Sequence, residues 1–410
     1  MKRLALLLLC LPGCATAPVA QTPPNIVMIV GDDQHWGDFG FMGHPTIKTP
    51  RLDRLAADSA VFPNAYVPTS LCRASLATML TGLYAHQHKI CCNDPPDGVD
   101  RSAMLPFLKN APTIPRLLQS KGYKSFQTGK FWEGHFSNGG FTHGMTEKGR
   151  HGDDGLVIGR QTMKPIYDFI QSCGSDPFFV WYAPMLPHEP HNPPDRLLQK
   201  YAVEGRNPKV AKYWAMCEWF DETCAQLLDH LDAKGLRDNT IVLFVIDNGW
   251  IQETGGVRTT RGNFAPKSKL SPYDGGLRTP ILIRWPGRVK PAAHPDLAST
   301  IDIAPTLLKA CGVQPPASMI GLDLLKAPLP RNAVFGDLYV HTSKDIDKPA
   351  LNLTHRWIRE GEWKLIVPQE GKPELYHVAK DPNEEVNLAA SDAPRAGALR
   401  KRLDSWWSAR

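Results

Sequence analysis

No apolar run in this 410-residue chain is long enough to cross a bilayer, which takes about 20 residues in a helix. There is no low-complexity tract and no internal repeat either, so neither a disordered chain nor a repeat array fits. Charge of one sign is also scarce. The formal net charge is +6, a surplus too small for a nucleic-acid footprint, and no nucleic-acid partner is expected. What the chain does have is 42% hydrophobic residues, enough at this length to bury a large core and to support one big domain with a smaller one beside it.

The first residues read as an address rather than as part of a fold. Met1-Lys2-Arg3, the apolar stretch Leu4 to Leu11 and Ala15-Thr16-Ala17 supply the charged start, short core and small-residue cleavage site of an export signal over residues 1–17. The mature chain is therefore expected in the periplasm or outside the cell, and loss of Lys2 and Arg3 lowers the formal charge by two, to +4. Leu11-Pro12-Gly13-Cys14 is an imperfect lipobox, and lipid attachment at Cys14 is the one route by which a membrane contact is expected. Cys10 and Cys14 belong to this leader. Cys91, Cys92, Cys173, Cys217, Cys224 and Cys311 form an even set that export permits to pair. Cys217 and Cys224 cannot pair with each other, because seven residues of one predicted helix separate them by about 10 Å.

Asn25 to Val30 and Thr240 to Ile246 are near-continuous Val/Ile/Leu runs, as central parallel strands need when helices cover both faces. Phe178 to Ala183 and Thr279 to Trp285 read as further strands. Thr49-Pro50 opens a helix with Leu52, Leu55 and Ala56 on one face, and a second helix runs from Ile114 to about Lys121 and stops at Gly122. A long amphipathic helix covers about Lys209 to Lys234, with Val210, Trp214, Cys217, Leu228 and Leu231 near one stripe. Ile301 to Ala310 is a fourth. After about Ala327 the pattern changes to short, aromatic-rich strands such as Arg356 to Arg359 and Trp363 to Val367. The expected architecture is α/β: a large mixed, mainly parallel sheet flanked by helices over 24–327, then a smaller C-terminal unit over 328–410 with an antiparallel sheet and a terminal helix.

Both central runs end in paired hard ligands, Asp32 with Asp33 and Asp247 with Asn248. Open parallel sheets bind ligands beyond the carboxyl ends of their strands, so the four are expected at one rim. One such pair is an ordinary turn or helix cap; two pairs on two such strands point to a metal. Three carboxylates and an amide oxygen suit Ca2+, with Mg2+ second and zinc poorly served. A third feature is Leu71 to Gly82, in which Cys72 opens a helix that closes at Gly82. The unpaired N–H groups and partial positive charge at a helix start are expected to lower the Cys72 thiol pKa and to receive an anion.

Together these segments resemble the sulfatase family of the alkaline phosphatase superfamily, in order and over nearly the whole mature chain. The resemblance implies that Asp32, Asp33, Asp247 and Asn248, with the residue at 72, hold one divalent ion. It also implies that Cys72 is oxidised to formylglycine by a formylglycine-generating or sulfatase-maturing enzyme. Lys130 in Thr128-Gly129-Lys130, His188 in Pro187-His188-Glu189-Pro190, and Lys269, four residues before Tyr273-Asp274-Gly275-Gly276-Leu277-Arg278, match residues that the family gathers in its active site. Glu374 to Leu388 matches the family's C-terminal strand and turn. Two positions depart from the pattern. The signature Cys-x-Pro-Ser-Arg, with Ala allowed for Pro, has Leu76 at its fifth position and an arginine, Arg73, at its second. The Gly-Lys-Trp-His element reads Gly129-Lys130-Phe131-Trp132, so tryptophan replaces the histidine near the nucleophile, and His135 is the candidate to take over its function.

The chemistry that the resemblance implies is sulfate-ester hydrolysis. A hydroxyl of hydrated formylglycine at position 72 attacks sulfur, Lys130, Lys269 and His188 neutralise sulfate oxygens, and His188 or Lys269 protonates the leaving alcohol. Arg73, Asn93, Asp94, Trp132, His135 and Arg258 are the candidates for substrate binding. The loops His88 to Asp97, His135 to His151 and Trp250 to Lys267 are expected to ring the mouth. A sulfated carbohydrate is the expected substrate, because export is expected and no apolar helical hairpin is present to serve membrane-borne sulfates. Two alternatives stay open: a phosphodiesterase or phosphonate hydrolase of the same superfamily, and, if Cys72 remains a thiol, a non-catalytic binder of sulfated glycans.

Overall fold

A computed structural model describes residues 22–153, 157–255 and 262–408; the expected export signal, with Cys14, and Arg258 lie outside them. The large sheet contains β1 (Asn25–Gly31), β2 (Ala60–Tyr66), β3 (Lys124–Gly129), β4 (His143–Gly144), β5 (Phe178–Ala183), β6 (Thr240–Ile246), β7 (Arg278–Arg284), β8 (Ala292–Ala293) and β9 (Ala298–Ser299). Their order is β4-β3-β5-β1-β6-β7-β2-β8, with β9 beside β2. β1 lies parallel to β5 and β6, and β3 parallel to β5, whereas β7 runs antiparallel to both β6 and β2. The sheet is therefore mixed and mainly parallel, as the apolar runs suggest.

Those runs are continuous because alternate residues serve two cores. Ile26, Met28 and Val30 of β1, with Ile241, Leu243 and Val245 of β6, pack toward helices Cys72–Thr81 and Ile303–Ala310. Val27 and Ile29, with Val242, Phe244 and Ile246, pack on the other face against helices Pro50–Ala57, Lys164–Cys173 and Pro208–Ala233. Each such side chain taken fully out of water contributes roughly 1.5–3 kcal/mol, so neither face tolerates the polar alternation of a one-sided sheet. Helix Pro208–Ala233 buries more than the expected stripe, including Ala211, Ala215, Met216 and Phe220, while Val210 and Trp214 stay half-buried. The helix from Ile114 is α-helical only to Leu118 and finishes as a 3-10 turn at Gly122, whose φ of 77° suits glycine. All seven described cysteines are free and buried. Among the described residues no helix is long and apolar enough to cross a membrane.

The small sheet is antiparallel throughout: β10 (Ala333–Tyr339), β11 (Leu353–Glu360), β12 (Trp363–Pro368) and β13 (Glu374–His377), in that order. Helix Ala393–Trp406 covers it through Ala396, Leu399 and Leu403. Charge joins it to the large sheet. The ammonium of fully buried Lys364 on β12 lies 2.9 Å from Asp274 Oδ1 and 2.9 Å from Glu384 Oε1. Tyr66 at the end of β2 donates to Asp274 Oδ2 at 2.8 Å, and Trp357 donates its indole N–H to Pro68 O at 3.0 Å. Removing Lys364 strands two buried carboxylates. Lys364→Met is expected to cost about 3–5 kcal/mol, read as a lower denaturant midpoint, whereas Lys164→Ala, which breaks the exposed pair with Asp168, is expected to shift stability by under about 1 kcal/mol.

Candidate active site

Four parallel strands deliver their carboxyl ends to one rim. Asp32 and Asp33 follow β1, Lys130 follows β3, His188 lies in the loop after β5, and Asp247 and Asn248 follow β6. The backbone turns that do this are tightly specified. Gly129 has φ 69°, and a Cβ there would lie 1.8 Å from Ala183 O, so only glycine lets the Lys130 N–H reach that carbonyl at 2.7 Å. Asp33 takes φ 58°, a conformation that a short acidic side chain tolerates, and donates its N–H to Asp247 Oδ1 at 3.1 Å. Asn248 donates Nδ2–H to Asp33 Oδ1 at 2.6 Å. Cys72 opens helix Cys72–Thr81, and Gly82 closes it at φ 63°.

The rim is a compact set of buried charges. Lys130 Nζ donates to Asp32 Oδ1 at 2.5 Å and to Asp247 Oδ2 at 3.1 Å, and Lys269 Nζ donates to Asp33 Oδ2 at 2.7 Å. Burial opposes the ammonium form of Lys130, but Asp247 and Asp32 outweigh it and hold that form. Burial pushes Asp247 up to about 7, helped by the charge of Asp32. The carboxylates are therefore more crowded than the two lysines can relieve. Asp32 Oδ2 and Asn248 Oδ1 are buried and accept from nothing among the described residues. Candidate ligand atoms of Asp32, Asp33 and Cys72 lie within 4.8 Å of one another. An oxygen-rich set with two undonated oxygens fits a hard divalent cation.

A cavity of about 210 Å³ opens above this rim, lined by Asp33, Cys72, Lys269 and His188 and then by Asn93, Trp132, Arg150, His151, Trp250, Phe264 and His341. Each of the three loops expected around the mouth contributes a wall. Burial pulls His188 down to about 4 and His151 to about 2, leaving both imidazoles neutral. His188 Nδ1 donates to Glu189 O at 2.5 Å, so Nε2 is its exchangeable nitrogen.

Several expectations require correction. Cys72 does not have a depressed pKa: burial pushes the thiol up to about 11, against the opposing charges of Lys130 and Lys269. Arg73 does not reach the cavity. Its guanidinium is buried and pairs with Glu133 through Nε at 2.6 Å and Nη2 at 2.8 Å, and it also donates to Met104 O at 3.0 Å. His135 is exposed and accepts the Ser137 N–H at the start of a 3-10 turn, away from the pocket lining. His151, sixteen residues further on, is the histidine of that loop that lines the cavity with Trp132 and Cys72. Asp94 stands behind the wall, accepting from Arg150 and Arg101. Trp132 lines the cavity, but Arg150 and Arg101 lie over its ring, so the indole face is not free to stack on a sugar. Arg150, His151 and His341 carry no local sequence signal. His341 reaches the site from the end of β10, 248 residues from its neighbour Asn93.

Comparison with known proteins shows the family and the fold. A family model described as Sulfatase matches residues 24–313, and one described as N-sulphoglucosamine sulphohydrolase, C-terminal, matches residues 264–406. The chain is similar to the N-acetylgalactosamine-6-sulfatase of Sus scrofa, at 26% identity over 93% of this chain and 85% of that one. Its fold is similar to that of a protein solved in complex with its substrate D-glucosamine-2-N,6-O-disulfate, with TM-score 0.76, 20% identity, and 94% and 98% of the two chains covered. It is also similar in fold to a phosphonate monoester hydrolase of Agrobacterium radiobacter, with TM-score 0.73, 19% identity, and 93% and 95% covered.

The Arg73 assignment is open to direct measurement. Arg73→Ala leaves Glu133 buried and unpaired and is expected to destabilise the fold by about 3–5 kcal/mol. A substrate-binding role would instead raise KM and leave the unfolding midpoint in place.

Proposed function

This chain belongs to the sulfatase family of sulfuric ester hydrolases, and from that premise we propose that it hydrolyses a sulfate ester carried by a sugar. The proposed machinery is formylglycine made from Cys72 and one Ca2+ ion held by Asp32, Asp33, Asp247 and Asn248. The observation that carries this reading is the buried rim itself, where two undonated oxygens and two lysines converge beside Cys72. The likeness to an N-acetylgalactosamine-6-sulfatase supports a sulfated sugar as substrate. A bound Ca2+ would supply Lewis acidity that lowers the pKa of a hydroxyl at position 72. Oxidation of Cys72 to formylglycine would supply, on hydration, that hydroxyl and the second one that lets sulfate depart.

The remaining work falls to this chain's own side chains. Lys130 and Lys269 are held as ammonium ions by Asp247, Asp32 and Asp33, so they supply fixed positive charge to the sulfate oxygens rather than protons. His188, neutral and protonated at Nδ1, takes up on its bare Nε2 the proton released at residue 72 and returns it from there to the leaving alcohol. The phosphonate hydrolase alternative has a likeness of fold in its favour. Asn248 as the partner of Asp247, together with a cysteine at 72, favours the single-ion sulfatase reading. Export, and maturation by a formylglycine-generating enzyme before the chain reaches its substrate, complete the proposal; the residues from Met1 to Ala17 support the first.

Three measurements test it. The tryptic peptide containing residue 72 is expected to be lighter than the thiol form by sulfur plus two hydrogens less one oxygen. Cys72→Ala is expected to keep its fold and to lose turnover of 4-nitrophenyl sulfate by a factor on the order of 10⁴ to 10⁶. Asp247→Ala is expected to lose both bound calcium and activity, and activity that survives a strong chelator in the parent would sink the metal assignment.

A further inference from the structure

Arg160 reaches the loop that carries His188 without lining the cavity. Its Nη2 donates to Met185 O at 2.9 Å and to His188 O at 3.0 Å, and its Nη1 donates to Asn192 Oδ1 at 2.6 Å. All three acceptors belong to the stretch between β5 and helix Asp195–Tyr201, and none is a carboxylate. A guanidinium that bonds two carbonyls of one loop through a single nitrogen fixes their separation, and the charge on the donor strengthens each bond. The stretch needs such a restraint. Met185 takes φ 54°, a strained conformation for a residue with a side chain, which persists only where its surroundings over-determine it.

The surroundings of Arg160 hold it in this place. Gly159 presses on the end of β5, where a Cβ would lie 2.6 Å from Tyr182 Oη and 2.9 Å from Pro184 Cβ. Trp219 of helix Pro208–Ala233 backs the guanidinium, whose Cζ lies 5.6 Å from the ring centroid. The imidazole of His188 is restrained only near its own backbone: Nδ1 donates to Glu189 O at 2.5 Å, and Nε2 stands 3.4 Å from Asp33 Oδ2. Its place over the rim therefore follows the main chain from 185 to 189. Asp32 ties that chain from the rim side, donating its N–H to Leu186 O at 2.9 Å, and Arg160 ties it at the residues on either side of that bond.

We propose that Arg160 is a positioning residue for His188. By bridging the carbonyls of Met185 and His188 it sets where Nε2 stands, and so governs the transfer of the proton from Nε2 to the leaving oxygen as the bond from that oxygen to sulfur breaks. The inference rests on His188 being the proton carrier of the proposed sulfatase reaction.

Leaving groups separate positioning from folding. Phenolate, whose conjugate acid has a pKa of about 10, needs a proton as it departs, whereas 4-nitrophenolate is a much weaker base and needs one less. Arg160→Met keeps the stem and removes the donors. It is expected to lose about tenfold more kcat on phenyl sulfate than on 4-nitrophenyl sulfate, with KM changed less than kcat and bound calcium retained. His188→Ala is expected to show the same bias, and in the double variant the Arg160 change adds little further loss, because the group it positions is gone. Arg160→Lys, which places one ammonium for the two carbonyls that share Nη2, is expected to recover part of the loss, and it is read in place of Arg160→Met if that variant folds poorly. Equal losses on the two esters, additive losses in the double variant, or calcium lost from Arg160→Met overturn the inference and leave the sulfatase reading standing. A His188→Ala protein with no bias between the esters overturns the His188 assignment and the inference together. A parent with formylglycine in place that turns over neither ester is assayed on N-acetylgalactosamine 6-sulfate, where additivity in the double variant decides; inactivity there too overturns the sulfatase reading and the inference with it.

Discussion

The constraint on which the rim rests is that three carboxylates lie together out of water. Asp32, Asp33 and Asp247 are each no more than 2% exposed, and removing an ion from water costs several kcal/mol even after relaxation. Lys130 and Lys269 return part of that cost, but with all three carboxylates ionised the floor would be one charge negative, and burial pushes Asp32 and Asp247 up against that state. A floor of that sign repels a sulfate. On the proposed reading, one divalent cation would make it positive, which matches a sulfate monoester. The donor set would then tie ion binding to anion binding, with the two undonated oxygens of Asp32 and Asn248 as the place for the ion.

Sheet topology then decides which side chains take part. β3, β5, β1 and β6 are neighbours and parallel, so their carboxyl ends bring residues as distant in sequence as Asp32 and Asp247 into one hydrogen-bonded group. The small antiparallel sheet contributes by a different route. Asn93 donates its N–H to His341 O at 2.9 Å, and Ser343 donates its N–H to Asp94 O at 2.8 Å, so the chain beyond β10 is zipped to the loop beside Cys72. The Lys364 ion cluster fixes the same sheet from its other end. Pocket shape therefore depends on a segment that supplies none of the charged rim.

The large sheet was legible because burial on both faces leaves a plain signature in β1 and β6, and the rim because a pair of hard ligands follows each of the two strands. Lys130, His188 and Lys269 were legible only through family spacing, since a lone lysine or histidine in a loop carries no signal of its own. Arg73 and His135 were misread for one physical reason: a side chain's direction is set by tertiary partners that local sequence does not name. Glu133, sixty residues away, captures Arg73, and a local turn captures His135. The Cys72 thiol was misread through magnitude. A helix start is worth up to about 2 kcal/mol to a charge in favourable geometry, whereas full burial shifts a pKa by up to about 3–5 units, and burial prevails here.

That raised pKa has a consequence for when residue 72 can change. All 10 residues of helix Cys72–Thr81 are buried, held between the large sheet and helix Ile303–Ala310, so no enzyme reaches this segment in the folded chain. Leu76 belongs to the core cluster that includes Met79 and Leu80. The chain instead carries its arginine at 73, where Glu133 neutralises it. The thiolate is the reactive form of cysteine, and a buried thiol near pKa 11 has little of it at neutral pH. Conversion of Cys72, if the proposed chemistry operates, therefore has to precede the closing of this helix into the core, while Arg73 and Leu76 are still features of an open chain and not yet an ion pair and a packing contact.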